Sequence, residues 1–354
     1  MSRFGHFTLS LCLALASSLV VSAPATAHAH DGQGDQGEQR EQDDQGHGRF
    51  DVDRVDFPVT LSDGNAYHVA GYLYHRGSPQ SRVLQVVVHG GNYDHKYWDI
   101  DDLHGRDYSY ARYMTDRGYA VLAIDQIGTG ASSRPDGDWL TIDDTARALH
   151  QVVASMRSHH NPTHHAYRKI ALVGHSAGSL TSIYSTGTYH DADALVTTGW
   201  LHSPFPLPFD PSTVLGALTT PYVAAGTFPE PFLAATFYHL PTTDPDMIHY
   251  DYTHLQATIA RRQFLDLLGT ALNPVLSRSA NVTEPVLAQL GEYDKMAPSG
   301  YSAGEASFYP HASQFTIQPM TDIGHDVNAH KNHLQSWRGI DRWLGATLGS
   351  CRDD

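Results

Sequence analysis

The 354-residue chain is poor in cysteine, in basic residues and in long apolar runs, and each shortage excludes something. Two cysteines, Cys12 and Cys351, cannot build a disulfide framework. Lys and Arg number 23 against 38 Asp and Glu, a formal charge of −15. That argues against nucleic acid as a partner, because phosphate contacts need clustered basic residues. The apolar run from Phe7 to Val21 has 15 residues, short of the roughly 20 that span a bilayer, so no stable membrane insertion is expected. With 41% hydrophobic and 17% charged residues the balance is that of a globular chain. What is abundant is histidine, at 24 residues. With an unperturbed pKa of about 6.5, most of these protonate by pH 5.5, and the net charge moves from −15 to about +7.

The N-terminus has the pattern of an export signal: Arg3, the apolar run, then the small-x-small site Ala25-Thr26-Ala27. Residues 1–27 are therefore expected to be a cleaved signal peptide and the protein to be secreted. Cleavage removes Cys12 and leaves Cys351 alone. Residues 28–48 form an acidic linker. Between Asp31 and His47, 15 of 17 residues are Asp, Glu, Gln or Gly, with no apolar side chain to bury, so a solvated tether is expected. His28, His30 and His47 flank it and leave weak metal capture open. Residues 49–354 are the folded domain.

Val52–Ser62 and Ala66–His75 alternate apolar and polar residues around Asp63-Gly64-Asn65, the pattern of an antiparallel hairpin. The runs at Val83–Val88, Tyr119–Ile124, Lys169–Val173, Ala194–Thr198, Pro285–Leu290 and Gln314–Ile317 are short and almost wholly apolar. Such runs suit strands buried on both faces of a parallel sheet. Helices alternate with them. Thr141 and Asp144 form a capping box ahead of Ile142, Leu149, Val152, Val153 and Met156 at helical spacing. Leu334, Trp337, Ile340 and Leu344 mark a C-terminal helix, its stripe interrupted by Asp341. The fold class is therefore α/β, a mostly parallel central sheet flanked by helices. Residues from about 202 to 283 break the rhythm, with ten of the nineteen prolines and ten aromatics. They are expected to form a mainly helical cap inserted over one end of the sheet, with Tyr252–Leu268 as its clearest helix.

Gly174-His175-Ser176-Ala177-Gly178 stands between one of the buried strands and a helix beginning near Ser179. G-x-S-x-G alone is a weak pattern, and the strand–turn–helix setting is what gives it weight. The turn holds the serine in a strained conformation, and the close strand and helix leave no room for Cβ atoms at 174 and 178.

Together with His89-Gly90-Gly91 after the third strand and the late Gly324-His325, this motif resembles the α/β-hydrolase fold over residues 52 to 348. It is most similar to secreted serine hydrolases of esterase type, which carry a His-Gly-Gly-Asn-Tyr-Asp-His-Lys-Tyr-Trp stretch like that at residues 89–98. The resemblance implies the chain order nucleophile, acid, base. Ser176 is then the nucleophile, and His325, after the last strand, its base. His311, His330 and His333 compete for that role, but the last two fall in the predicted C-terminal helix, where surface or capping roles are expected. Gly324 is expected to let the backbone turn close to the serine. Asp294, after Val286–Leu290, is the acid that orients the imidazole. Glu292 is a solvated loop charge, and Asp322 and Asp326 adjoin the base too closely in sequence to reach its far ring nitrogen. Trp200-Leu201-His202-Ser203 offers no carboxylate at the alternative position. The N–H groups of Gly91 and Ala177 form the oxyanion hole, with Asn92 the alternative to Gly91. His89, Asp125, Gly128 and Gly130 are scaffolding.

The expected function is hydrolysis of a carboxylic ester through an acyl-enzyme, on a small-molecule substrate with a sizeable apolar acyl or aryl part. No metal or organic cofactor is implied. Lactones, thioesters and amides remain open, because the same triad serves each. So do a non-catalytic binding protein on this scaffold and an extracellular metal binder. The nearest metal-type pair for the last, His160 and His164, lies beside Pro162 in a loop. Haloalkane dehalogenation is disfavoured, since it needs a carboxylate where Ser176 stands.

Overall fold

The computed structural model describes residues 50–77, 83–206, 208, 214–216 and 218–349. The proposed signal peptide and tether lie outside them. Eight strands form the central sheet: β1 (Phe50–Thr60), β2 (Ala66–Arg76), β3 (Leu84–Val88), β4 (Ala120–Asp125), β5 (Ile170–His175), β6 (Ala194–Thr198), β7 (Val286–Gly291) and β8 (Phe315–Met320). Their spatial order is β1-β2-β4-β3-β5-β6-β7-β8. β1 pairs antiparallel with β2, and β2 with β4. Every later pairing is parallel.

The strand periodicity sets the layers. Val86 and Val88 of β3 point into one hydrophobic layer with Leu122 and Leu172, while Val87 points into the other with Val121 and Val173. The first layer is closed by α2 (Ile142–Met156) and α3 (Ala177–Tyr189), through Leu149, Val152, Leu180 and Ile183. The second is closed by α1 (Tyr110–Thr115) and by the C-terminal Leu334–Leu348 helix, through Met114, Trp337, Ile340 and Leu344. Coverage of both faces is why these strands carry no polar alternation. Asp341, the polar break in the C-terminal stripe, pairs with Arg117 at 3.4 Å.

Thr141 caps α2 as expected, accepting from the Asp144 N–H at 3.1 Å. Asp144 answers through the Thr141 hydroxyl rather than its N–H: Asp144 Oδ2 accepts from Thr141 Oγ1 at 2.6 Å. Its Oδ1 accepts from the Ser62 N–H at 3.0 Å, tying α2 to the β1–β2 turn.

Between β6 and β7 the chain forms α4 (Glu230–Thr236), α5 (Pro245–Tyr250), a wide turn Asp251–Leu255, a two-stranded ribbon of Tyr222–Val223 with Ile259–Ala260, and α6 (Arg261–Leu272). The C-terminal helix is then α7. The helix expected over Tyr252–Leu268 is thus broken and displaced. The Ala257 N–H donates to the Asn92 carbonyl and Ile259 pairs with Val223, so residues 256–260 are drawn out straight. The helix restarts where Gln263 accepts from the Ala260 N–H.

Thr141→Ala removes the α2 cap and is expected to cost about 1 kcal/mol. In urea titration this lowers the midpoint with an unchanged slope; an unmoved midpoint contradicts the assigned cap.

Candidate functional site

The loops at the carboxyl ends of β3, β5, β7 and β8 converge. At the end of β5 the chain reverses through Ser176, whose φ of 50° and ψ of −118° lie in a region L-residues seldom occupy. Such strain costs of order 1–3 kcal/mol and persists only where neighbours impose it. Those neighbours are on both sides. A Cβ at Gly174 would lie 2.5 Å from the Ser179 Cα, and one at Gly178 would lie 2.1 Å from the Val88 carbonyl oxygen. The Ser176 N–H donates to the Thr198 carbonyl at 2.8 Å, and its carbonyl accepts from Ser179 at 2.9 Å. The result is a half-buried hydroxyl at the start of α3.

His325 and Asp294 meet that hydroxyl. Ser176 Oγ is 2.9 Å from His325 Nε2, and His325 Nδ1 is 3.0 Å from both Asp294 oxygens. A hydrogen on Nδ1 satisfies the carboxylate and leaves the Nε2 lone pair facing the serine. Asp294 Oδ1 also accepts from the N–H groups of Met296 and Ala297. Burial alone would raise Asp294, but the His325 charge and these donors hold it below the usual carboxylate range. Burial alone would lower His325, but Asp294, with a smaller contribution from Asp326, holds it above the usual histidine value.

The loop carrying His325 is fixed from the inserted segment. The N–H groups of His325 and Asp326 both donate to the Phe237 carbonyl, at 2.7 and 3.1 Å. Gly324 is needed for that approach, since a Cβ there would sit 2.6 Å from the Phe237 oxygen. This corrects the expectation that Gly324 serves proximity to the serine. Gly199, at φ 62°, makes room for the imidazole instead: a Cβ there would meet His325 Cε1 at 3.1 Å. His330 and His333 lie before α7, not inside it, and both are buried. His330 Nε2 accepts from the N–H groups of Gly324 and His239, and Nδ1 donates to the Asp326 carbonyl. His330 thus ties down the loop carrying His325, a contact that spacing alone does not reveal. Of the other rivals, His311, Glu292 and Asp322 are exposed, and Asp326 turns its Oδ2 to the Tyr93 hydroxyl.

Gly91 and Ala177 face one another: a Cβ on Gly91 would be 3.6 Å from the Ala177 Cβ and 3.2 Å from Ile259 Cδ1. Ala177 is the first residue of α3, so its N–H has no acceptor within the helix. Asn92 adopts a φ of 65° and gives its carbonyl to Ala257. His89 bonds Thr129 and the Gln126 N–H, and Asp125 accepts from Ala131 and His95, so both are scaffolding. Behind Gly91 and Ala177 lies a cavity of about 20 Å³ lined also by Gln126, Thr181 and Gln263, room for one water. On the other flank the Phe237 ring lies 5.2 Å from the His325 ring and leads to Phe232 and Phe228, an aromatic wall of the inserted segment.

Burial lowers His330 and His333 to about 4 each. The unfolded chain therefore binds more protons than the folded one between pH 6.5 and 4, and stability falls as pH falls through that window. Each group contributes a loss on the order of 3 kcal/mol. Urea midpoints in His330→Gln are expected to be lower at neutral pH and to decline less between pH 6.5 and 4 than in the wild type. An equal decline would contradict this assignment.

Residues 102–329 match the family model described as serine aminopeptidase, S33. No curated protein matches the chain in sequence. Among solved structures, an esterase from Thermogutta terrifontis superposes with a TM-score of 0.60 at 17% identity, over 83% of this chain and 99% of that one. A monoacylglycerol lipase from Paleococcus ferrophilus gives 0.55 at 16% identity, over 84% and 99%. A bromoperoxidase from Bacillus anthracis gives 0.59 at 17% identity, over 83% and 99%. At these identities the neighbours establish the α/β-hydrolase fold, and their names span different chemistries. The family match covers well over half of the chain, which therefore belongs to the serine aminopeptidase S33 family of hydrolases.

Proposed function

We propose that this hydrolase is a secreted serine esterase that cleaves carboxylic esters through an acyl-enzyme. The observation that carries the reading is the continuous line from Ser176 Oγ through His325 to Asp294, at 2.9 and 3.0 Å. Ser176 Oγ attacks the ester carbonyl carbon while its proton passes to His325 Nε2. The carbonyl oxygen becomes an oxyanion, met by the N–H groups of Gly91 and Ala177, with the N-terminus of α3 adding its partial positive charge. As the C–O bond to the alcohol breaks, His325 returns the proton to the leaving oxygen. A water, deprotonated by His325, then attacks the acyl-serine; as the bond from the acyl carbon to Ser176 Oγ breaks, His325 returns the proton to that oxygen and the acid is released.

The ester reading draws on the apolar wall of Phe237, Phe232 and Phe228 beside His325, which suits an acyl or aryl group, and on the esterase and lipase among the structural neighbours. Secretion rests on the N-terminal pattern alone. A second reading, cleavage of a peptide or amide bond, follows from the name of the matched family.

A panel of p-nitrophenyl esters of increasing chain length beside aminoacyl p-nitroanilides separates the two: ester turnover with little anilide turnover supports the proposal, and the reverse pattern contradicts it. Fluorophosphonate is expected to label the wild type and not Ser176→Ala. Asp294→Asn is expected to lower kcat by roughly 10³–10⁴-fold. Because Asp294 holds the His325 pKa above its usual value, kcat/KM is expected to fall as pH drops through a value somewhat above about 6.5. A rate that stays flat from pH 5 to 8 contradicts His325 as the base.

A further inference from the structure

A buried polar chain begins one residue after His325. Asp326 and Asp251 are both buried, the first in the base loop and the second opening the turn after α5. The Tyr93 hydroxyl, from the loop after β3, lies between them, 3.0 Å from Asp251 Oδ2 and 2.8 Å from Asp326 Oδ2. Asp251 Oδ2 also faces the Tyr238 hydroxyl at 2.7 Å, and its Oδ1 accepts from Gln256 Nε2 at 2.8 Å.

Counting hydrogens decides how this chain is held. The Tyr93 oxygen carries one hydrogen and touches two carboxyl oxygens. If both carboxyls were ionised, one of those short contacts would have no proton in it. A proton on Asp251 Oδ2 completes the sequence: Tyr238 donates to Asp251, Asp251 to Tyr93, and Tyr93 to Asp326. We propose that Asp251 and Asp326 share one proton across the Tyr93 hydroxyl, and that this proton fastens the inserted segment to the loop carrying His325. Both residues are positioning residues, acting through His325, and the inference rests on the reading of His325 as the base.

The surroundings agree. Burial and the Asp326 charge raise Asp251 to about 8, and burial raises Asp326 to about 6. Near neutrality the proton therefore resides on Asp251, and Asp326 is the ionised partner. The other titratable groups facing the pair are Tyr93 and Tyr97 from the loop after β3, Tyr238 from the loop after α4, His175 from β5, Asp294 from the loop after β7, and His325 with His330 from the base loop. His175 Nε2 is 3.4 Å from Asp326 Oδ1. Burial, reinforced by His325, keeps that imidazole neutral, so it does not balance a second negative charge here. Above about pH 8 the pair becomes doubly charged, the two carboxylates repel across Tyr93, and the seam loosens. The base loop then loses one of its ties, and activity declines.

Infrared spectra of the full-length protein from pH 6 to 10, with kcat/KM over the same range, test this in the wild type and Asp251→Asn. A protonated-carboxyl stretch is expected at pH 7 in the wild type, vanishing near pH 8, and absent at pH 7 in the variant. The alkaline fall in kcat/KM is expected to move up by at least about one pH unit in Asp251→Asn. A wild type without that band at pH 7, an unchanged band in the variant, or an unmoved alkaline fall overturns the proposal. If Asp251→Asn does not fold, Tyr93→Phe removes the bridging oxygen, and the pH at which the band vanishes is expected to shift by about one unit; no shift overturns the proposal. The infrared band does not depend on turnover. A band in a protein inactive on esters separates failure of the esterase reading from failure of the shared proton.

Discussion

Two backbones approach at Gly178 until no side chain fits: a Cβ there would lie 2.1 Å from the Val88 oxygen and 2.3 Å from that of His89. The rest of the site depends on this contact. It lets α3 start directly against the loop after β3, which forces the chain to reverse through a strained Ser176. It also brings Ala177 alongside Gly91, so that the Ser176 hydroxyl and two backbone N–H groups share one corner of the sheet. The strain at Ser176 is sustained because Thr198 and Ser179 hold the turn through backbone hydrogen bonds on either side.

The second half of the site is held by a different part of the chain. His325 does not stand on its own loop alone; Phe237 and His330 fix it, and Phe237 belongs to the segment inserted between β6 and β7. The segment that supplies the aromatic wall therefore also sets the position of the imidazole. The aromatic side chains and the aim of the His325 imidazole are thus mechanically linked, and the Asp251–Tyr93–Asp326 chain lies on the same seam.

Most of the parallel part of the sheet was legible because its strands are separate apolar runs buried on both faces, and the β1–β2 hairpin because the alternation in β1 marks one exposed face. Ser176 is legible because the steric demands of its turn dictate glycine at 174 and 178. His325 and Asp294 are legible from chain order once the fold class is recognised, and the structure brings both to Ser176. The inserted segment is far less legible. The break at 256–260 depends on a hydrogen bond from Ala257 to Asn92, some 160 residues earlier in the chain, and no local pattern announces it. His330 illustrates the same limit. As one of 24 histidines it has no distinguishing neighbour in sequence, and its role appears only when the N–H groups of Gly324 and His239 meet it in space.

The abundance of histidine also takes on a different meaning. His89, His175, His330 and His333 are buried with their pKa values lowered, His325 is raised by its carboxylate partners, and a uniform surface titration does not describe these five. The proposed mechanism requires that Ser176 become covalently acylated during turnover. Rapid acid quench of the enzyme with a slowly deacylating ester, followed by peptide mass spectrometry, tests it directly. The acyl mass is expected on the peptide containing Ser176. Turnover of the ester with no acyl adduct, or with the adduct on another residue, would contradict it.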